Sequence, residues 1–226
     1  MARPLNIAHR GFTHTFPDNT LEAFEAAINL AVDGIECDVH ETADRHFIIH
    51  HDADIQGTPI AELTLGQARA LRVAGQYRIP TLEETLDLCH RRIKLNLEIK
   101  LVHSLDLFLQ TVRAASSPEE LILSSFHVVT IRDLADMAPE MTRGILTAYT
   151  VTDPLAFLEQ ARASIILPRY RFLEGTPVEA LHTRRLSVIV WECNTRADIR
   201  TALARGVDGI ITDNADIVAE ELRKET

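Results

Sequence analysis

Glu36 and Asp38 stand one residue apart in Gly34-Ile35-Glu36-Cys37-Asp38-Val39, where every other residue is apolar or small. β-Branched Ile35 and Val39, beside a Gly34 that closes the preceding helix, predict a short buried strand. A strand alternates its faces, so both carboxylates point one way while Ile35, Cys37 and Val39 point the other. Two ionised carboxylates on an apolar strand repel each other and lose hydration, so a positive charge must answer them. That strand alone leaves two answers open: a divalent cation, or an Arg or Lys from a neighbouring strand.

A second stretch has the same grammar. Lys94-Leu95-Asn96-Leu97-Glu98-Ile99-Lys100 alternates strictly, which places Asn96, Glu98 and Lys100 on one face. If the two strands share a sheet and their polar faces converge, Glu36, Asp38 and Glu98 form a three-carboxylate nest with Lys100 beside it. Such a nest suits a hard cation and leaves a positive group over for an anionic ligand. His9-Arg10 and His51 are further polar groups at expected strand ends.

The elements that must position these groups follow a regular order. Short apolar runs predict strands at Leu5–His9, Gly34–Val39, Lys94–Lys100, Leu121–Phe126, Gly144–Leu146, Ile165–Leu167, Ser187–Trp191 and Gly209–Asp213. Helical spacing separates most of them, as in Leu21, Phe24, Ala27, Ile28 and Ala31, and Thr81 with Glu84 forms a capping box. Phe47 to Asp52 reads as a hairpin arm on the second strand. Residues 53 to 80 show no clear periodicity and read as a short irregular cap. Eight β-α units in this length predict an α/β fold, a compact TIM (β/α)8 barrel forming one domain over 1–226. A doubly wound open sheet is the alternative, but no Gly-rich phosphate loop follows an early strand.

The 226 residues are 46% hydrophobic and 25% charged, with a net charge of −10. That balance argues against a nucleic-acid or anionic-membrane partner, since both want a basic face. No apolar run approaches the ~20 residues of a membrane span. Met1-Ala2-Arg3-Pro4 leads straight into a strand, and Cys37, Cys89 and Cys193 are few and far apart. The expectation is a reduced, cytoplasmic protein. Nothing in the sequence sets an oligomeric state.

The chain resembles the glycerophosphodiester phosphodiesterases, TIM barrels akin to phosphatidylinositol-specific phospholipases C. The resemblance rests on Ala8-His9-Arg10-Gly11, Pro17-Asp18-Asn19-Thr20-Leu21, Asp33-Gly34-Ile35-Glu36-Cys37-Asp38-Val39 and Ile49-His50-His51-Asp52. It continues through Ile79-Pro80-Thr81-Leu82-Glu83-Glu84, Leu97-Glu98-Ile99-Lys100, Val190-Trp191-Glu192-Cys193-Asn194 and Gly206-Val207-Asp208-Gly209-Ile210-Ile211-Thr212-Asp213. These span nearly the whole chain in order.

The resemblance implies that Glu36, Asp38 and Glu98 hold one divalent cation, Mg²⁺ or Ca²⁺ with Mn²⁺ also suited. It implies that His9 and His51 are the acid-base pair, that Arg10 and Lys100 hold phosphate oxygens, and that Trp191 borders a small-molecule phosphodiester. Of the adjacent histidines, the one preceding Asp52 is selected. Asp18 stands where the family has Glu, Asp54-Ile55-Gln56-Gly57 replaces a Leu-x-Arg-Thr-Thr run, and Glu192 replaces Thr. A lysophospholipase D-like enzyme would need an apolar ramp, of which residues 53 to 80 offer little. A non-catalytic phosphate- or metal-binding barrel would be expected to have lost one of these groups. With Tyr77 the one aromatic residue of the cap and Trp191 on a distant strand end, little discrimination among leaving alcohols is expected.

Overall fold

β-Branched and leucine-rich runs form strands here because their alternate residues meet two apolar layers, and capped amphipathic segments return the chain between them. The computed structural model describes residues 3–224. The chain runs β1 (Leu5–His9), α1 (Leu21–Asn29), β2 (Gly34–Glu41) and β3 (Phe47–Ile49). It continues through β4 (Asp54–Ile55), β5 (Thr58–Pro59), α2 (Leu65–Ala70), α3 (Leu82–Cys89), β6 (Lys94–Leu101) and α4 (Leu105–Ala115). Then follow β7 (Leu121–Ser125), α5 (Val128–Met137), β8 (Thr142–Thr147), α6 (Pro154–Ala161), β9 (Ile165–Pro168) and α7 (Val178–His182). The last units are β10 (Ser187–Trp191), α8 (Arg196–Ala204), β11 (Gly209–Thr212) and α9 (Ala215–Lys224).

The main sheet orders β1-β11-β10-β9-β8-β7-β6-β2-β3, and a further β1–β2 pairing closes the ring. Eight parallel strands therefore form a barrel, and β3 lies outside it, antiparallel to β2. This is the TIM barrel expected from the alternation of elements, with the hairpin arm after the second strand.

Two apolar layers fix the orientation of every strand. Ile7, Ile122, Leu146, Ile165, Leu167, Ile189 and Ile211 fill the barrel interior, while Ile35, Cys37, Val39, Leu95, Leu97 and Ile99 face the helices. Asp38 pairs with Glu98 across β2 and β6, so the two alternations are in phase and their polar residues share the inner face. Gly144 makes room for Leu167 inside: a Cβ there would meet Leu167 Cδ1 and push that side chain aside.

Two sequence expectations are corrected. Residues 53 to 80 are not irregular throughout: β4 and β5 form a small hairpin, and α2 carries a capping box between Thr64 and Gln67. Ile55, Ile60, Leu63, Ala68 and Ile79 pack with Ile48 into a satellite core. Six helical residues are too few to display a 3.6 period, so the pattern could not announce α2. β3 also stops at Ile49, not Asp52; His50 N still donates to Asp38 O at 3.0 Å, and the chain then leaves the sheet.

Glu41, at the end of β2, clamps the loop between β6 and α4. Its Oε2 accepts from His103 N at 2.6 Å and Ser104 N at 2.8 Å. Burial alone would raise this carboxyl's pKa, but the Ser104 and His103 hydrogen bonds outweigh it and hold the pKa below the usual range. A depressed folded pKa contributes stability above the ordinary carboxylate range, lost as pH falls through the folded value. Glu41→Gln is therefore expected to cost about 1.5 kcal/mol at neutral pH, with the difference from the parent fading in acid below the folded value. Urea unfolding across that pH range reads both; equal neutral-pH stabilities would refute the clamp.

Candidate active site

The turn after β1 is built for close approach. Arg10 has φ +57° and Gly11 φ +90°, and a Cβ at Gly11 would meet the Ala23 backbone at 2.8 Å. Only glycine fits there, and it lets Arg10 N reach back to Glu36 O at 2.9 Å and Glu36 Oε2 at 3.2 Å. The same loop brings Asn19, itself at φ +54°, under β2. Asn19 Nδ2 donates to Asp38 Oδ2 at 2.7 Å, and Asn19 Oδ1 accepts from Asp38 N at 3.3 Å.

β2 and β6 deliver the carboxylates. Glu36, Asp38 and Glu98 are all buried, and one oxygen from each lies within 4.8 Å of the others. Lys100 Nζ stands 3.1 Å from Asp38 Oδ1 and 2.6 Å from Glu98 Oε1, while Arg10 Nε is 3.3 Å from Asp38 Oδ2. Glu36 Oε1 is buried without a hydrogen-bond partner. Burial first, and then repulsion from Asp38 and Glu98, pushes the Glu36 carboxyl well above its ordinary pKa. Burial also raises Glu98 in spite of Lys100, whereas at Asp38 burial is outweighed by Lys100, Arg10 and Asn19, and the pKa is lowered. Three carboxylates against two cations leave unanswered negative charge at Glu36. The donor set is all oxygen and fits a hard divalent cation.

A histidine flanks this nest on either side. His9 Nδ1 lies 2.7 Å from Asp213 Oδ1, and His51 Nδ1 lies 2.7 Å from Asp52 Oδ1. A carboxylate accepting from Nδ1 fixes the tautomer and leaves Nε2 as the free basic nitrogen. His9 Nε2 is 3.9 Å from Glu36 Oε2. Asn194 Nδ2 donates to Asp213 Oδ2 at 2.5 Å, and with the His9 hydrogen bond this holds Asp213 below the ordinary range. Buried His40 donates from Nε2 to His51 O at 3.3 Å, which anchors the segment beyond β3. His50 turns away, its Nε2 3.2 Å from Asp54 O.

These groups line a cleft of about 300 Å³ at the C-terminal mouth of the barrel. His9, Arg10, Glu36, His51, Glu98 and Lys100 form one side; Phe126, Leu146, Arg169, Trp191, Glu192 and Ile211 form the other. Trp191 Nε1 donates to Leu167 O at 2.8 Å, and Phe126 meets the ring edge-on at 5.5 Å between centroids. His9, Arg10, Glu36, His51, Glu98, Lys100 and Trp191, singled out in the sequence, thus line one cleft, and buried Asp38 lies behind its wall, paired with Lys100 and Arg10. The sequence reading missed Phe126, Arg169 and the supporting Asn19, Asp52 and Asp213. Asn19, Asp52 and Asp213 lie within motifs already noted, and an acceptor next to a candidate histidine was a usable signal. Phe126 and Arg169 lie outside every motif.

A TIM barrel that gathers a carboxylate nest and two carboxylate-held histidines at its C-terminal mouth has the architecture of a barrel enzyme, whose active sites lie at that face. The chain belongs to the glycerophosphoryl diester phosphodiesterase family, whose model matches residues 9–217. It is a phosphoric diester hydrolase. It is 30% identical to a glycerophosphodiester phosphodiesterase of Caldanaerobacter subterraneus subsp. tengcongensis, over 98% of this chain and 99% of that one. The fold matches a glycerophosphodiester phosphodiesterase of Parabacteroides distasonis, with TM-score 0.87, 24% identity, and 98% and 99% of the two chains covered. It also matches an Oleispira antarctica phosphodiesterase solved with its product sn-glycerol 3-phosphate, with TM-score 0.89, 21% identity and 96% of each chain covered. No helix among the described residues is long and apolar enough to cross a membrane.

Proposed function

We propose that this enzyme hydrolyses glycerophosphodiesters to sn-glycerol 3-phosphate and an alcohol, with His9 and His51 as the acid-base pair. The observation that carries the reading is the buried nest of Glu36, Asp38 and Glu98 between two histidines whose Nδ1 atoms face carboxylates. The nest would hold one Mg²⁺, Ca²⁺ or Mn²⁺ rather than Zn²⁺, since no His or Cys is among its ligands. Such a cation supplies charge stabilisation for phosphoryl oxygens. Arg10 and Lys100 hold the phosphate from the flanks and oppose the charge that develops on its oxygens. One histidine takes a proton from the nucleophile, either water or the neighbouring glycerol hydroxyl whose cyclic phosphate water then opens, and the other gives one to the departing alkoxide, both through Nε2. The Oleispira relative's product supports the choice of bond cleaved. In this reading residues 1–226 act as one catalytic domain; three buried free cysteines fit a cytoplasmic setting.

Leaving-alcohol selectivity follows from the two rings. A quaternary ammonium needs open aromatic faces, but Lys100 Nζ lies 5.9 Å from the Phe126 centroid and the Arg169 guanidinium 5.6 Å from that of Trp191. With both rings attended by cations, no choline cage forms. kcat/KM for glycerophosphocholine, glycerophosphoethanolamine and glycerophosphoglycerol should agree within roughly tenfold. A coupled assay for sn-glycerol 3-phosphate, with added Mg²⁺ or Ca²⁺, tests both points. Release of phosphocholine instead would overturn the reaction, and a hundredfold preference for choline would overturn the selectivity.

A further inference from the structure

Arg169 follows β9 and pairs through its backbone with Trp191, the last residue of β10. Its N–H donates to Thr147 O at 2.9 Å, so the residue is fixed to the strand ends. The guanidinium lies on the Trp191 ring, half-buried in the cleft wall. Three permanently cationic side chains line this cleft, and they are not equivalent. Arg10 is paired with Asp18 and Asp38, and Lys100 with Asp38 and Glu98. Arg169 forms no ion pair among the described residues and is the cation left free for a ligand.

Its position says which part of a ligand it meets. Around the ring β9 lies four strands from β2 in either direction, so Arg169 faces the carboxylate nest across the mouth. A phosphate at the nest, between Arg10 and Lys100, is served from its own side. What reaches Arg169 is a substituent running over the Trp191 and Phe126 rings. Glu192, the residue after Trp191, places its carboxylate within 4.8 Å of ligand atoms of His9 and Asp213, on the nest side of the cleft and not beside Arg169. A free guanidinium stacked on the Trp191 ring complements a substituent that ends in a carboxylate.

We propose that Arg169 is a specificity-determining residue that binds a carboxylate on the leaving alcohol, so that the preferred substrates are glycerophosphodiesters of a carboxylate-bearing alcohol such as serine. Planar guanidinium and planar carboxylate make paired, charge-assisted hydrogen bonds, and the stacked ring holds the guanidinium ready for them. This rests on the phosphodiesterase reading above and names its substrate class.

The test uses a matched pair of diesters. Glycerophosphoserine and glycerophosphoethanolamine differ only in the carboxylate, so their kcat/KM ratio isolates what reads it. In the parent enzyme with Mg²⁺ or Ca²⁺ the ratio should favour the serine diester by about tenfold. Arg169→Gln should bring it to near unity, and Arg169→Lys, which keeps the charge but loses the plane, should leave an intermediate value. A parent ratio near one would overturn the proposal. So would a preference that survives in Arg169→Gln, or a loss in that variant falling equally on both diesters, which would place Arg169 on the phosphate. If neither diester were turned over, the phosphodiesterase reading would fail by itself. Calorimetric binding of the two diesters to parent and variant would then read the same ratio without turnover.

Discussion

Excess chelator is expected to abolish turnover and leave the barrel folded. The three carboxylates sit at the mouth, above an interior filled by Ile7, Ile122, Leu146, Ile165, Leu167, Ile189 and Ile211. Neither that layer nor the larger one beneath the helices contains a ligand. Removing the cation exposes mutual repulsion at Glu36, Asp38 and Glu98, but it takes no apolar surface out of either core. The loss of stability is then that of a ligand binding the native state alone. At a cation concentration of 100 times Kd it is about 2.7 kcal/mol, or about 5 to 10 °C in melting temperature for a chain this long. Activity after dialysis against chelator, with far-UV dichroism and a cooperative melt recorded on the same sample, checks both halves. Full turnover in excess EDTA would remove the cation from the reaction. Loss of the melt would show that the nest is structural.

Two adjacent histidines should respond very differently to the same change. His51→Ala is expected to lower kcat by ~10²-fold or more, the usual worth of a positioned acid or base. His51 lines the cleft with Asp52 on its Nδ1, whereas His50 bonds Asp54 O outside it. His50→Ala should therefore stay within about threefold of the parent, as substitutions outside special contacts do. Because His51 is 39% exposed, its loss leaves little cavity and the effect should fall on kcat with the melt unchanged. Reversed effects would mean that the segment beyond β3 is turned the other way.

The fold was legible because the signal was carried by period and not by motif. Strict alternation in β6 and near-alternation in β2 put Glu36, Asp38 and Glu98 on one face before any pairing was known, and the observed Asp38–Glu98 register agrees. The eight ring strands were legible as apolar runs between capped helices. What escaped had no period to show. α2 is too short, and Ile55, Ile60, Leu63, Ala68 and Ile79 are spaced by loop geometry, meeting around Ile48 only after folding. Arg169 escaped for a different reason. Behind Pro168 it reads as an ordinary surface cation, and its meaning lies in a relation between strands: β9 facing β2 across the mouth, with Trp191 alongside. Phe126 is the same case, an aromatic residue just past β7 whose partner, Trp191, is 65 positions away in the chain.

The closing seam of the ring has a consequence for the order in which the mouth is assembled. β1 pairs with β11, and the His9–Asp213 hydrogen bond spans that seam across 204 positions of sequence. Neighbouring β-α units can assemble from local contacts, but this pairing joins distant segments and carries the largest loop-closure cost in the molecule. Until β11 docks, His9 has no carboxylate on Nδ1 to hold its orientation, although Glu36, Asp38 and Glu98 are already neighbours through β2 and β6. A chain emerging from the ribosome can thus assemble its carboxylate nest while the His9–Asp213 pair is still incomplete. The mouth of the barrel takes its full shape only once β11 has docked against β1.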